Sequence, residues 1–172
     1  DAAIGFLREQ PSVNRARVFA LGHSEGGQLV PLVASAGAPV AGIALMAPPA
    51  LPLDQVIAKQ LPAQSPMLER IERTDWFKSY LGIDPAKTIA HVHQPILILQ
   101  GEEDRNVLAP DALRLVNAAK ATNHDVTYKL YPHDAHEFLV LKPGQTMLDT
   151  ATVIDPALID DLIAWLKAHA RG

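Results

Sequence analysis

Four short apolar runs, each closed by a turn residue, set the rhythm of this chain. Arg17-Val18-Phe19-Ala20-Leu21-Gly22 and Pro95-Ile96-Leu97-Ile98-Leu99-Gln100-Gly101 read as buried strands. A third lies within 40–47, and Val126-Thr127-Tyr128-Lys129-Leu130-Tyr131 alternates in the β-rich manner. Between these runs the apolar spacing lengthens to that of helices. The predicted order is helix 1–10, strand 17–22, helix 25–36, strand 40–47, an irregular insert 54–90, strand 96–100, helix 110–121, strand 126–131 and helix 155–169. Strands alternating with helices, without hairpin signals, predict an α/β fold built on a parallel sheet. The last helix is well marked: Asp155 can cap it, Pro156 suits its first position, and Leu158, Ile159, Leu162, Ile163 and Leu166 form an apolar stripe. Pro31 removes a backbone donor within the helix 25–36 and predicts a local bend there.

The first strand runs into Gly22-His23-Ser24-Glu25-Gly26-Gly27 and then into a helix. A G-x-S-x-G pentad at a strand-to-helix junction is a nucleophile elbow, whose tight turn lifts the serine hydroxyl above the sheet. Gly22 and Gly26 are expected because a Cβ there would collide with the neighbouring strand or helix, and Gly27 because the helix packs closely on the sheet. The elbow aims the first amides of the helix at the place where negative charge develops. Such a serine needs a base and a group to orient that base. Asp104 follows the strand 96–100, and His136 follows the strand 126–131. All three therefore fall at carboxyl ends of strands, the edge where open α/β sheets carry their sites. Glu102 and Glu103 compete with Asp104 but fit the solvated turn before it, and His133 competes with His136. His23 is expected to pack beside the nucleophile. His91 and His93 form an H-x-H without a third ligand at a recognisable spacing, which favours the surface over a metal pair. His124 and His169 carry no signal.

The motifs together resemble the carboxyl-terminal half of an α/β-hydrolase, specifically the esterase-like serine hydrolases with a GHSEGG elbow. PILILQGEEDRNV, from Pro95 to Val107, resembles that family's acid motif with Asp104 in the acid position. YPHDAHEF resembles its histidine loop, with His136 in the base position. The resemblance implies one hydrolase domain over 1–172 and carboxylic ester cleavage by a Ser24–Asp104–His136 triad. The Glu25 amide would serve the oxyanion, and no metal or organic cofactor is implied. A serine peptidase, a thioesterase and a non-catalytic hydrolase-like fragment remain open, since fold and triad do not set the substrate. In similar enzymes the stretch 54–90 forms a cap or lid, and Trp76, Phe77, Tyr80 and Leu81 concentrate aromatic and apolar surface there. Those aromatics could equally anchor an insertion to the core.

The resemblance also implies about four further strands upstream, including the loop that donates the second oxyanion N–H. The opening residues Asp1 to Arg8 read as the end of an amphipathic helix. The elbow strand is then expected at an open edge, which invites pairing with another chain. Association with a missing amino-terminal half, or a homo-oligomer, is the expected partner beside a small-molecule ester. The isolated chain is expected to be weakly active or inactive and to depend on such contact for order.

Composition narrows the classes further. Hydrophobic residues make up 48% and charged residues 20%, without repeats or low-complexity runs, as in an ordinary globular protein. The net charge of −4 and the lack of a basic cluster argue against nucleic acid. The absence of cysteine excludes disulfides and thiol chemistry, and no apolar run reaches membrane-spanning length.

Overall fold

The computed structural model describes residues 2–62, 65–139 and 153–170. The strands β1 (Phe19–His23), β2 (Gly42–Met46), β3 (Ile96–Gly101) and β4 (Val126–Tyr131) form one parallel sheet in the order β1-β2-β3-β4. A helix α1 (Ala2–Glu9) precedes β1, α2 (Gly26–Ser35) crosses from β1 to β2, α7 (Ala109–Lys120) crosses from β3 to β4, and α8 (Pro156–His169) closes the order. Strand β1 starts two residues later than predicted. Arg15–Arg17 form a 3-10 turn instead, capped by the Asn14 side chain, which accepts from the Ala16 amide. Helix α2 runs from Gly26 to Ser35 through a buried Pro31.

The uninterrupted apolar runs have a direct cause: β2 and β3 are buried on both faces. Ile43 and Leu45 of β2 with Ile96 and Ile98 of β3 point to one side, where Ala34 of α2 and Ala112, Leu115, Val116 and Ala119 of α7 cover them. Ala44, Leu97 and Leu99 point the other way, onto Leu158 and Trp165 of α8 and onto Phe138. The stripe predicted for α8 is wider than its contact. Leu158 and Trp165 are buried and Leu162 and Leu166 pack against them, whereas Ile159 and Ile163 face solvent. Its predicted start holds: Asp155 accepts from the Ala157 amide at 2.9 Å, with Pro156 in the first turn. Among the described residues, strand β1 has β2 on one side only, and Leu21 on it is 50% exposed. Among the described residues, no helix is long and apolar enough to cross a membrane.

The stretch 54–90 divides in two. Helices α3 (Leu53–Gln60), α4 (Pro66–Glu72) and α5 (Asp75–Tyr80) build a separate small core from Leu53, Ile57, Phe77 and Tyr80, with Leu68, Ile71 and Ile83 packed against it. Helix α6 (Pro85–Ile89) packs instead against α2 and α7, and Ile89 is fully buried in the main core. The starts of α4, α5 and α6 are written locally. Ser65, Thr74 and Asp84 each accept from an amide of the first turn, and Pro66 and Pro85 occupy the first position of α4 and α6.

Candidate active site

Between the end of β1 and the start of α2 the chain turns through Ser24, whose φ of +53° lies in the left-handed region. A side chain there costs about 1–3 kcal/mol, so the surroundings must hold it. The Ser24 amide donates to the Met46 carbonyl at 2.9 Å, and the Ser24 carbonyl accepts from the Gly27 amide at 2.8 Å. A Cβ on Gly22 would stand 2.1 Å from the Gly26 carbonyl oxygen, and one on Gly27 would stand 2.6 Å from Pro48 Cβ. The collision expected at Gly26 is not found, for a Cβ there would meet nothing within 4 Å. Crowding falls on Gly22 because the turn folds the Gly26 carbonyl back over it.

Strand β3 leads into the loop that carries Asp104. Asp104 is buried; its Oδ1 accepts from the Asn106 and Val107 amides at 2.8 and 2.9 Å, and its Oδ2 lies 2.9 Å from His136 Nδ1. Burial alone would raise its pKa. The His136 hydrogen bond and charge, with the Val107 and Asn106 amides, outweigh burial and hold the carboxyl below its ordinary value. Glu102 and Glu103 are exposed to solvent. Gln100, which sequence reasoning passed over, is fully buried and donates from Nε2 to Asp104 Oδ2 at 3.1 Å and to the Gly101 and Val107 carbonyls at 3.0 Å each. Its one signal was a polar residue ending an otherwise apolar strand.

The loop after β4 carries His136. A Cβ on Gly101 would stand 2.3 Å from the Asp134 carbonyl oxygen, so only glycine lets β3 end this close to the loop. The Glu103 amide donates to that same carbonyl at 3.0 Å. His136 is buried, with Nδ1 2.9 Å from Asp104 Oδ2 and Nε2 2.9 Å from Ser24 Oγ. An ionised Asp104 only accepts, so Nδ1 carries the hydrogen and Nε2 turns its lone pair to the Ser24 hydroxyl. His133 is exposed. His23 does more than pack: its Nε2 lies 2.9 Å from the His136 carbonyl oxygen. His91, His93 and His124 are exposed, and His169 meets the Trp165 carbonyl and Asp125.

The Glu25 amide follows Ser24 and, among the described residues, has no hydrogen-bond acceptor. Its side chain is engaged elsewhere. Glu25 Oε1 accepts from Trp76 Nε1 at 2.9 Å and from the Tyr80 hydroxyl, both on α5. Burial, then the Glu25 carboxylate, pushes the Tyr80 hydroxyl well above the ordinary phenol range.

The fold is that of the α/β-hydrolases. An esterase from Pyrococcus furiosus superposes with a TM-score of 0.67 at 15% identity, over 99% of this chain and 60% of that one. Dipeptidyl peptidase 4 from Porphyromonas gingivalis gives 0.67 at 20% identity, over 97% of this chain and 22% of that one. The esterase domain of a Rhodothermus marinus protein gives 0.57 at 21% identity, over 78% and 56%. The chain thus spans 56% to 60% of the length of these esterases and 22% of the peptidase. No curated protein matches it in sequence. The family comparison is more specific, and matches the prolyl oligopeptidase family over residues 2–169. Because that match runs through all four strands, the elbow, the acid loop and the histidine loop, the chain belongs to the prolyl oligopeptidase family.

Proposed function

We propose that this chain carries the triad of a serine hydrolase that cleaves carboxylic esters through an acyl-enzyme. The observation that carries the reading is the His136 imidazole, 2.9 Å from Ser24 Oγ on one side and 2.9 Å from Asp104 Oδ2 on the other. In this reading His136 takes the hydroxyl proton as Ser24 Oγ attacks the ester carbonyl. Asp104 keeps the imidazole in the required tautomer and stabilises the imidazolium. His136 then returns the proton to the departing alcohol, and water hydrolyses the acyl-enzyme by the same relay. The Glu25 amide holds the oxyanion from one side.

A second oxyanion donor is worth about 10²–10³ in rate. We place it outside these residues, brought by a strand that pairs with the free edge of β1, from an amino-terminal half or another copy. The isolated chain is then weakly active and self-associating. A peptidase reading shares the machinery and is favoured by the family match and by the likeness to dipeptidyl peptidase 4. It differs in the leaving group, an amine that must be protonated as it departs.

Labelling with a fluorophosphonate probe and mapping the adduct by mass spectrometry tests the nucleophile. Adduct on Ser24, lost in Ser24→Ala, is expected; adduct on another serine, or unchanged labelling in Ser24→Ala, rejects it. Hydrolysis of p-nitrophenyl esters against peptide p-nitroanilides then separates esterase from peptidase, with size-exclusion chromatography reporting the assembly.

A further inference from the structure

The side-chain hydrogen bonds that join helices α3–α5 to the rest of the molecule converge on one atom. Among the described residues between 53 and 83, the two side chains that reach outside this unit are Trp76 and Tyr80. They stand four positions apart on α5, so they share one helix face, and both donate to Glu25 Oε1. Their rings lie against each other with centroids 5.5 Å apart. Tyr80 belongs to the small core of the unit, whereas Trp76 is 44% exposed and has little burial to hold its ring in place. A bond to a carboxylate is shorter and stronger than one between neutral groups, and its direction orients the indole. The acceptor belongs to the residue next to Ser24, so this contact sits beside the nucleophile.

We infer that the Glu25 carboxylate is the anchor that seats α5 beside Ser24, making Glu25 a positioning residue that determines which ester groups fit against Trp76 and Tyr80. This inference rests on the serine-hydrolase reading for its consequence in specificity, but not for the anchoring itself. The residue has two separable parts. Its backbone amide faces the oxyanion in the proposed mechanism, while its side chain holds Trp76 and Tyr80. Removing the carboxylate frees α3–α5 to shift as a unit, because their own core is independent of the sheet.

Tryptophan fluorescence tests the anchor without turnover. The chain has two tryptophans, Trp76 and the buried Trp165, and Trp76→Phe gives the Trp165 signal for subtraction. Acrylamide quenching of Trp76 should rise at least about twofold in Glu25→Ala and return to the parental value in Glu25→Gln, which keeps an acceptor oxygen for neutral donors. In the active assembly, the ratio of kcat/KM for p-nitrophenyl octanoate to that for the acetate should move by about fivefold in Glu25→Ala and be restored in Glu25→Gln. Quenching unchanged in Glu25→Ala overturns the inference, as does a ratio that stays constant while both esters slow together. Absence of fluorophosphonate labelling in the parental protein would defeat the hydrolase reading alone, because the quenching result stands independently of it.

Discussion

His23 and His136 lie ring against ring with centroids 4.8 Å apart, and His23 Nε2 sits 2.9 Å from the His136 carbonyl oxygen. A carbonyl can only accept, so His23 Nε2 carries the hydrogen. The residue before Ser24 thereby holds the backbone of the residue whose imidazole meets the Ser24 hydroxyl. Elbow and histidine loop are joined by this contact as well as by the one between Ser24 and His136. A loop carrying a strained residue, Phe138 at φ +55°, needs such a tie to keep one pose.

Replacing His23 separates the ring from the donor. His23→Phe keeps an aromatic face but loses the hydrogen bond, and a bond of about 1 kcal/mol should show as a roughly five- to tenfold fall in kcat with little change in KM. His23→Gln can still donate and should recover most of that loss. Steady-state kinetics on p-nitrophenyl esters decides between them; equal losses in both variants would assign the effect to the ring.

Asp104→Asn should lower kcat by about 10⁴ while leaving the fold intact, because a carboxamide can still accept from the Asn106 and Val107 amides but favours the wrong imidazole tautomer. The carboxylate also leaves a pH signature. Its folded pKa lies below the ordinary value of 3.8, so its stabilising contribution is present above that value and is lost as pH falls through the lower folded one. Urea unfolding between pH 6 and pH 2.5 should show the parental protein losing stability relative to Asp104→Asn only at the acid end.

Asp134 shows the opposite sign. It is 1% exposed with Oδ2 lacking a partner among the described residues, and burial, then the Asp155 charge, raises its carboxyl to about 6, with His133 partly opposing. A raised acid favours folding while protonated, and that contribution is lost as pH rises from 3.8 through about 6. Asp134→Asn should therefore be more stable than the parent at pH 8, by about 1–3 kcal/mol, with the two converging near pH 4. Thermal melts at the two pH values measure this, and a pH-independent difference would count against the assignment.

The three glycines of the elbow should behave differently. Gly22→Ala places a Cβ 2.1 Å from the Gly26 carbonyl oxygen and Gly27→Ala places one 2.6 Å from Pro48 Cβ, so both must move backbone. Each should cost about 2 kcal/mol or more in denaturant unfolding. Gly26→Ala meets open space and should lie within about 1 kcal/mol of the parent.

What the sequence determined by itself was local. The runs at 96–101 and 126–131 are strands because apolar and β-branched side chains pack on a pleated surface, and helix α8 starts where Asp155 and Pro156 satisfy its first turn. Ser24, Asp104 and His136 were legible as candidates because each sits in the loop that closes a strand run. The tertiary structure decided the rest. It assigned α6 to the main core and α3–α5 to their own, and it put the elbow's crowding at Gly22 and Gly27 but not at Gly26. It also brought Trp76 and Tyr80 to Glu25 across 51 and 55 positions, and His23 to His136 across 113. Such pairings leave no trace in local periodicity. They arise because a parallel sheet in the order β1-β2-β3-β4 gathers its strand ends at one edge, and that gathering is a property of the assembled sheet.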